Sequence, residues 1–171
     1  SLFQLTDLET LYLYDNQLTG TIPREIGQLH ALKILTLQFN QLTGIIPSEM
    51  GEMTSLEGLI MYNNHLLGAL PDMFGNLVHV DELWIHNNYF EGRLPASMSG
   101  LRQLKTLFLQ NNLLTGRSND AFNHSAQLEL TTVDMSNNLL AGSVFAELFL
   151  LPSLHVMSLS GTHDIISVVE F

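Results

Sequence analysis

The chain has 171 residues, 46% of them apolar, which predicts one domain with a continuous hydrophobic core. Lys and Arg total 6 against 17 for Asp and Glu, and the resulting net charge of −11 argues against nucleic acid as a partner. No apolar run is long enough to span a bilayer, and the lack of cysteine excludes disulfides and cysteine-based zinc sites.

In chain order, one pattern returns every 24 residues. When each unit is taken to begin at the apolar residue that opens the pattern, Leu8 in the first, the complete units are 8–31, 32–55, 56–79, 80–103, 104–129 and 130–153, with partial units 1–7 and 154–171. A period in this range is typical of a solenoid, a single domain in which each unit buries its apolar side against the next. The fifth unit has 26 residues, so we expect 117–127 to be the most irregular part of the outer face.

Apolar residues occupy the first, fourth and sixth positions of each unit, as in Leu32, Leu35 and Leu37. This spacing predicts a short strand with one buried face, and stacked units then form a parallel sheet. The ninth position is always asparagine, whose amide can satisfy backbone groups at a turn in every unit. We therefore predict a structural ladder of Asn16, Asn40, Asn64, Asn88, Asn112 and Asn138, and expect Asn64 and Asn88 to be buried and bonded to backbone.

The thirteenth position is always glycine, as expected where the backbone adopts a positive φ, and proline then starts a return segment in the first four units. With the motifs LTGTIP, LTGIIP, LLGALP and FEGRLP, the chain resembles plant-type leucine-rich repeat proteins. The resemblance implies an α/β horseshoe, with a curved parallel sheet on the concave face and short helical or 3-10 turns and loops on the convex face. Family members include the ectodomains of receptor-like kinases and receptor-like proteins, and secreted inhibitors.

The chain departs from the family pattern in its second half. Ser118-Asn119 and Val144-Phe145 stand where Ile-Pro is expected, and Thr162 takes the asparagine position of the last unit. Neither of the cysteine-paired caps common in the family is present. Because terminal repeats need a covered end, we expect this chain to be a segment of a longer protein.

Outward positions on the predicted concave face carry aromatic and aliphatic side chains in several units, and the row ends at Asp134. A contiguous exposed apolar patch with a polar rim usually marks an interaction site. The predicted partner-binding residues, centred on Trp84, are Tyr12, Tyr14, Phe39, Ile60, Tyr62, Trp84, His86 and Phe108. Acidic residues outnumber basic ones on this face, which favours a neutral to basic peptide or protein. The alternative is that these rings pack on each other and stiffen the sheet.

Catalysis is not predicted, because the sequence has no nucleophile elbow, phosphate loop or paired-carboxylate arrangement. Glu82 and His86 would lie about 13 Å apart along a strand, too far to share one ion, so we predict no metal site and no cofactor. Asn123-His124-Ser125 fits the acceptor pattern for N-glycosylation in an expected loop.

The function predicted from these observations is non-catalytic recognition of a protein or peptide by a receptor-like ectodomain, extracellular or at the cell surface. Two alternatives remain open. One is a structural or scaffold subunit of a larger assembly, which could be intracellular. The other is a secreted inhibitor of a carbohydrate-active enzyme.

Overall fold

A computed structural model of the chain describes residues 2–116, 121–141 and 146–162. Within these ranges, seven three-residue strands form one parallel sheet, which we call the concave sheet. Each strand covers the third to fifth positions of its unit, and paired residues such as Thr10 and Ile34 are one unit apart. The strands are β1 (Thr10–Tyr12), β3 (Ile34–Thr36), β5 (Gly58–Ile60), β7 (Glu82–Trp84), β9 (Thr106–Phe108), β11 (Thr132–Asp134) and β13 (Val156–Ser158).

A second parallel sheet, which the sequence analysis did not predict, is formed later in each unit. We call it the lateral sheet. Its strands pair across 22 residues rather than 24, as in Thr19 with Gln41, so successive strands are offset by two positions. They are β2 (Thr19–Thr21), β4 (Gln41–Gly44), β6 (His65–Ala69), β8 (Tyr89–Gly92), β10 (Leu113–Gly116) and β12 (Leu139–Leu140).

The register of both sheets shows where the long fifth unit places its extra residues. Thr106 pairs with Thr132 in the concave sheet, and Gly116 pairs with Leu140 in the lateral sheet. In both pairs the sequence separation is two residues greater than between the other units. The insertion therefore lies between Gly116 and Thr132, outside the strands. Residues 117–120 of the predicted irregular segment lie outside the described ranges. Gln127, at its end, is 1% exposed, and its Nε2 donates to the carbonyl oxygen of Met98 at 3.0 Å.

Short helices form the return segments. The 3-10 helices are Leu2–Gln4, Arg24–Gln28, Ser48–Glu52, Asp72–Asn76 and Ala96–Gly100, and an α-helix spans Ala146–Phe149. Prolines with extended backbone precede four of the 3-10 helices: Pro23, Pro47, Pro71 and Pro95. The preceding turns use thirteenth-position glycines with φ between 76° and 83°: Gly20, Gly44, Gly68, Gly92 and Gly116. None of the helices in the described ranges is long and apolar enough to cross a membrane.

The core runs between the two sheets and the return helices. From the second to the sixth unit, the side chains at the first, fourth and sixth positions are buried. In the first unit, Leu8, Leu11 and Leu13 are only partly buried, as are Leu154 and Met157 in the last. Among the described residues, β1 and β13 are the edge strands of the concave sheet and pair with a neighbouring strand on one side only, which leaves these side chains less covered.

Candidate functional site

The ninth-position asparagines connect each unit to the one before it. Five of them, from the second to the sixth unit, are buried, with exposures of 2–8%. Asn88 is representative: its Nδ2 donates to the carbonyl oxygens of Ile85 at 3.2 Å and Met61 at 3.1 Å, and its Oδ1 accepts the backbone N–H of Leu66 at 3.0 Å. The amide therefore closes its own turn and also bonds the preceding unit twice. The same bonds recur at Asn40, Asn64, Asn112 and Asn138.

Asn16, the first member of the predicted ladder, differs from the other five. Its side chain is exposed, and its Nδ2 donates only to the carbonyl oxygens of Leu13 and Tyr14 within its own turn. In the last unit, the Thr162 hydroxyl donates to the carbonyl oxygen of Leu159 at 2.7 Å and reproduces one of the asparagine bonds.

Five rings on the concave sheet contact one another and form what we call the concave aromatic cluster: Phe39, Tyr62, Trp84, His86 and Phe108. Tyr62 and His86 are stacked with centroids 4.3 Å apart and planes 10° from parallel. Trp84 lies 5.5 Å from Phe108 and 6.4 Å from Tyr62, while His86 meets Phe108 edge-on at 6.0 Å. Phe39 closes one side of the cluster with an edge contact to Tyr62 at 5.2 Å. Pairs in these geometries contribute beyond their buried area.

The predicted aromatic row is divided in two. Tyr12 and Tyr14 are exposed by 59% and 51% and contact each other at 6.4 Å. Thr36 follows Tyr12 on the neighbouring strand and is only 5% exposed. It was expected to face outward, but its small side chain lies between the larger Tyr12 and Ile60 and is covered. The tyrosine pair is therefore separate from the concave aromatic cluster.

Within the cluster, Trp84 is held by its neighbours. It is half-buried, and its indole Nε1 donates to the Thr106 hydroxyl at 2.8 Å across β7 and β9. Ile60, Tyr62, His86 and Phe108 are half-buried as well. Phe39 alone among the five rings is strongly exposed, by 49%. The mutual ring packing considered as an alternative is thus present, and it coexists with an exposed ring at one edge.

Phe39 also has an unusual backbone. The eighth position, which was treated as an outward strand position, has left-handed φ values of 52–57° in all six complete units. Asn and Asp tolerate this conformation, whereas a bulky side chain rarely adopts it. Five units accordingly have Asp15, Asn63, Asn87, Asn111 and Asn137, and only the second has phenylalanine. The run of asparagine at this position was a signal in the sequence that could have identified the turn.

Acceptor atoms line the seventh-position row next to the cluster. Gln38 Oε1, His86 Nδ1 and Gln110 Oε1 are buried and have no hydrogen-bond partner within the protein. Burial lowers the pKa of His86, and the negative charge of Asp134 opposes this only in part. The imidazole therefore favours its neutral form, which can accept a hydrogen bond.

The charges on this face are mainly acidic. Lys33 and Lys105 are each neutralised by a carboxylate one strand away, Glu9 at 2.8 Å and Asp81 at 3.1 Å. These pairs raise the pKa of both lysines. Burial raises the pKa of Glu82, with the neighbouring Asp81 adding to the effect.

The other predicted sites are simple to place. The described residues contain no cluster of His, Asp and Glu side chains that could hold a metal ion. Asn123 is exposed, and its Oδ1 accepts the backbone N–H of Ser125 at 3.0 Å. Its glycosylation stays a prediction.

The geometry agrees with the comparisons to known proteins. The family model described as Leucine Rich Repeat matches residues 7–29, 31–53 and 55–77, the first three units. These three units are leucine-rich repeats, and the described chain has the fold of a leucine-rich repeat solenoid. Comparison with curated protein sequences finds no significant match.

Several solved structures share this fold. A TDR receptor has a TM-score of 0.88 and 26% identity over 94% of this chain. The ectodomain of the Arabidopsis receptor kinase HAESA, in complex with an N-terminally extended IDA peptide hormone, has a TM-score of 0.86 and 30% identity over 94% of this chain. This chain spans 28% and 27% of those two structures. A leucine-rich repeat protein of Leptospira interrogans has a TM-score of 0.72 and 29% identity; the match covers 94% of this chain and 45% of the Leptospira chain.

Proposed function

We propose that this leucine-rich repeat chain is a non-catalytic recognition module that binds a peptide or protein on the concave aromatic cluster. The observation that supports it most is Phe39, an exposed aromatic ring on a left-handed backbone at the edge of four packed rings. A left-handed conformation costs a residue with a side chain roughly 1–2 kcal/mol. Strained residues of this kind concentrate at functional sites.

The half-buried rings behind Phe39 give the site a rigid floor. Trp84 is fixed by its bond to Thr106, and Tyr62 is stacked on His86. Rings that are already immobile lose little conformational entropy when a partner binds, which favours affinity. Aromatic residues at the centre of an interface also tend to carry most of the binding energy.

The polar groups beside the cluster define the chemistry of the partner. The lysines on this face are already paired with carboxylates. The partner should therefore carry neutral or positive charge and place an apolar side chain over Trp84.

The relatives support a receptor-like ectodomain outside the cell as the setting. The HAESA structure contains a peptide hormone. Binding of a peptide by this chain is part of the proposal. A scaffold role is the alternative outcome, in which the rings only stiffen the sheet.

The experiment is selection of random displayed peptides on the purified chain, followed by affinity measurement on variants. We expect Trp84→Ala to weaken binding of the selected peptides by roughly thirtyfold, about 2 kcal/mol. Arg24→Ala on the convex side is the control and should leave affinity unchanged, since its side chain is exposed on a return helix and not on the concave sheet. Circular dichroism verifies that each variant is folded.

Two results would contradict the proposal. One is failure to enrich any peptide. The other is unchanged affinity after combined loss of Trp84, Tyr62 and Phe108, which would favour the scaffold role.

A further inference from the structure

A second row of asparagines follows the eighth position at the border between the concave and lateral sheets. Asn87 Nδ2 donates to Asn63 Oδ1 at 2.7 Å, Asn111 Nδ2 to Asn87 Oδ1 at 2.6 Å, and Asn137 Nδ2 to Asn111 Oδ1 at 2.8 Å. This row differs from the buried ninth-position ladder, because its bonds run from side chain to side chain. It stops at the second unit, where Phe39 replaces asparagine.

Each inner amide of this row keeps hydrogen-bonding capacity. A side-chain amide has two N–H donors and two acceptor lone pairs. Asn87 and Asn111 each use one donor and one lone pair along the row. One donor and one acceptor per rung remain, and the side chain of Asn111 is exposed to solvent.

A pair of aromatic rings lies beside the amides. His65 and Tyr89, at the tenth position of neighbouring units, have centroids 6.0 Å apart and planes 20° from parallel. Both are exposed, Tyr89 by 51%. The two rings and the amides of Asn63, Asn87 and Asn111 line one open cavity of about 450 Å³. We call this cavity the amide groove.

The lining of the amide groove indicates the class of ligand. No lysine, arginine or carboxylate side chain is among the residues that line it. Hydroxyl groups both donate and accept, so they match a surface that offers one donor and one acceptor at each rung. The carbon-bound hydrogens of a sugar ring can lie against an aromatic face, as apolar groups do elsewhere.

An extended peptide fits this row less well. The rungs follow the strand spacing of about 4.8 Å, whereas groups on one side of an extended peptide recur every two residues, about 6.7 Å. A peptide running along the row would be out of register by about 2 Å at each rung. Sugar hydroxyls are distributed more densely and need no such period.

We infer that the amide groove binds an uncharged oligosaccharide, with Tyr89 and His65 under a sugar ring and the Asn63–Asn87–Asn111 amides bonded to its hydroxyls. This site shares no residue with the concave aromatic cluster and does not depend on the function proposed for it.

The test is isothermal titration calorimetry of the purified chain with cellohexaose, xylohexaose, mannohexaose and chitohexaose, each up to millimolar concentration. At least one should bind, and Tyr89→Ala should weaken that binding at least tenfold. Asn87→Gly, which removes the amide but tolerates the positive φ, should also weaken it. Leu139→Ala, at the tenth position two units away from Tyr89, and Trp84→Ala in the concave aromatic cluster are controls and should leave sugar affinity unchanged.

Three results would overturn the inference. The first is that none of the four hexasaccharides binds. The second is that a sugar binds equally well to wild type, Tyr89→Ala and Asn87→Gly. The third is that Trp84→Ala abolishes the binding, which would place the sugar on the concave aromatic cluster.

Discussion

Replacing Asn88 by alanine removes two of the hydrogen bonds that connect the fourth unit to the third. The Asn88 side chain is 6% exposed, and it bonds the Leu66 N–H at 3.0 Å and the Met61 carbonyl oxygen at 3.1 Å. Alanine can supply neither partner. Leaving a buried backbone donor unpaired costs roughly 1–3 kcal/mol, so we expect Asn88→Ala to lower the free energy of unfolding by that amount.

The assay is urea unfolding followed by tryptophan fluorescence. Trp84 is the single tryptophan of the chain and lies in the same unit as Asn88. For a chain of this length, each kcal/mol corresponds to about 2–4 °C in Tm, so a thermal scan should show a matching decrease. Far-UV circular dichroism on the same samples tests whether all units unfold together, which repeat proteins do not always do.

Asn16→Ala is the matched control. The residue and its repeat position are the same, but Asn16 is exposed and bonds only carbonyl oxygens of its own turn. Its loss should change stability by no more than about 0.5 kcal/mol, as is usual for surface substitutions. If both variants lose the same stability, the bonds to the preceding unit are not what makes the ladder stabilising, and the reasoning fails.

Three further predictions concern single residues. Phe39→Asn should raise the free energy of unfolding by about 0.5–1 kcal/mol in the same urea assay, because asparagine tolerates a φ of 57°, and should weaken binding of the selected peptides. Gly27→Ala should lower it by roughly 1–3 kcal/mol, since the added Cβ would collide with the Glu49 carbonyl oxygen where successive return helices stack. Acidification should lower the Tm of wild type more than the Tm of His86→Gln. The pKa of His86 is lowered in the folded chain, so the stability that the neutral imidazole contributes is complete above about pH 6.5 and is lost as pH falls below that value. Tm values at about pH 7.5 and 5.5 would show this difference.

Each of these predictions has a contradicting result. For Gly27, the control is Gly58→Ala, whose added Cβ would find its nearest atom, on Ile34, at 3.9 Å and should be neutral or stabilising. Equal losses in the two glycine variants would refute the steric explanation. A destabilised Phe39→Asn variant would mean that ring packing outweighs the backbone cost. An identical pH response in wild type and His86→Gln would show that His86 does not titrate differently in the folded chain.

The repeat pattern predicts most of the fold, because it is set by interactions that recur in every unit. Apolar residues at the first, fourth and sixth positions predict the buried side of the concave sheet, and the ninth-position asparagine predicts an amide bonded to backbone at each turn. The long fifth unit predicts an insertion outside the strands, and both sheets keep their register across it.

The lateral sheet could not be predicted in the same way. Its strands are short, and their outward residues vary from Thr19 to Leu67 to Glu91, so no period-two pattern marks them. Backbone pairing with an offset of two positions per unit forms only once the units are stacked. The amide groove depends on that stacking as well, since its asparagines and its two rings come from different units.

The sequence by itself determined the period, the buried positions and the identity of the aromatic residues on the concave sheet. Only the tertiary structure decided which of those rings touch, because the exposure of a side chain depends on the size of its neighbours on adjacent strands. Thr36 is covered although it occupies an outward position, and Asn16 is exposed although it occupies a ladder position. Both differences arise because a repeat position takes its environment from the neighbouring units, and those differ along the chain.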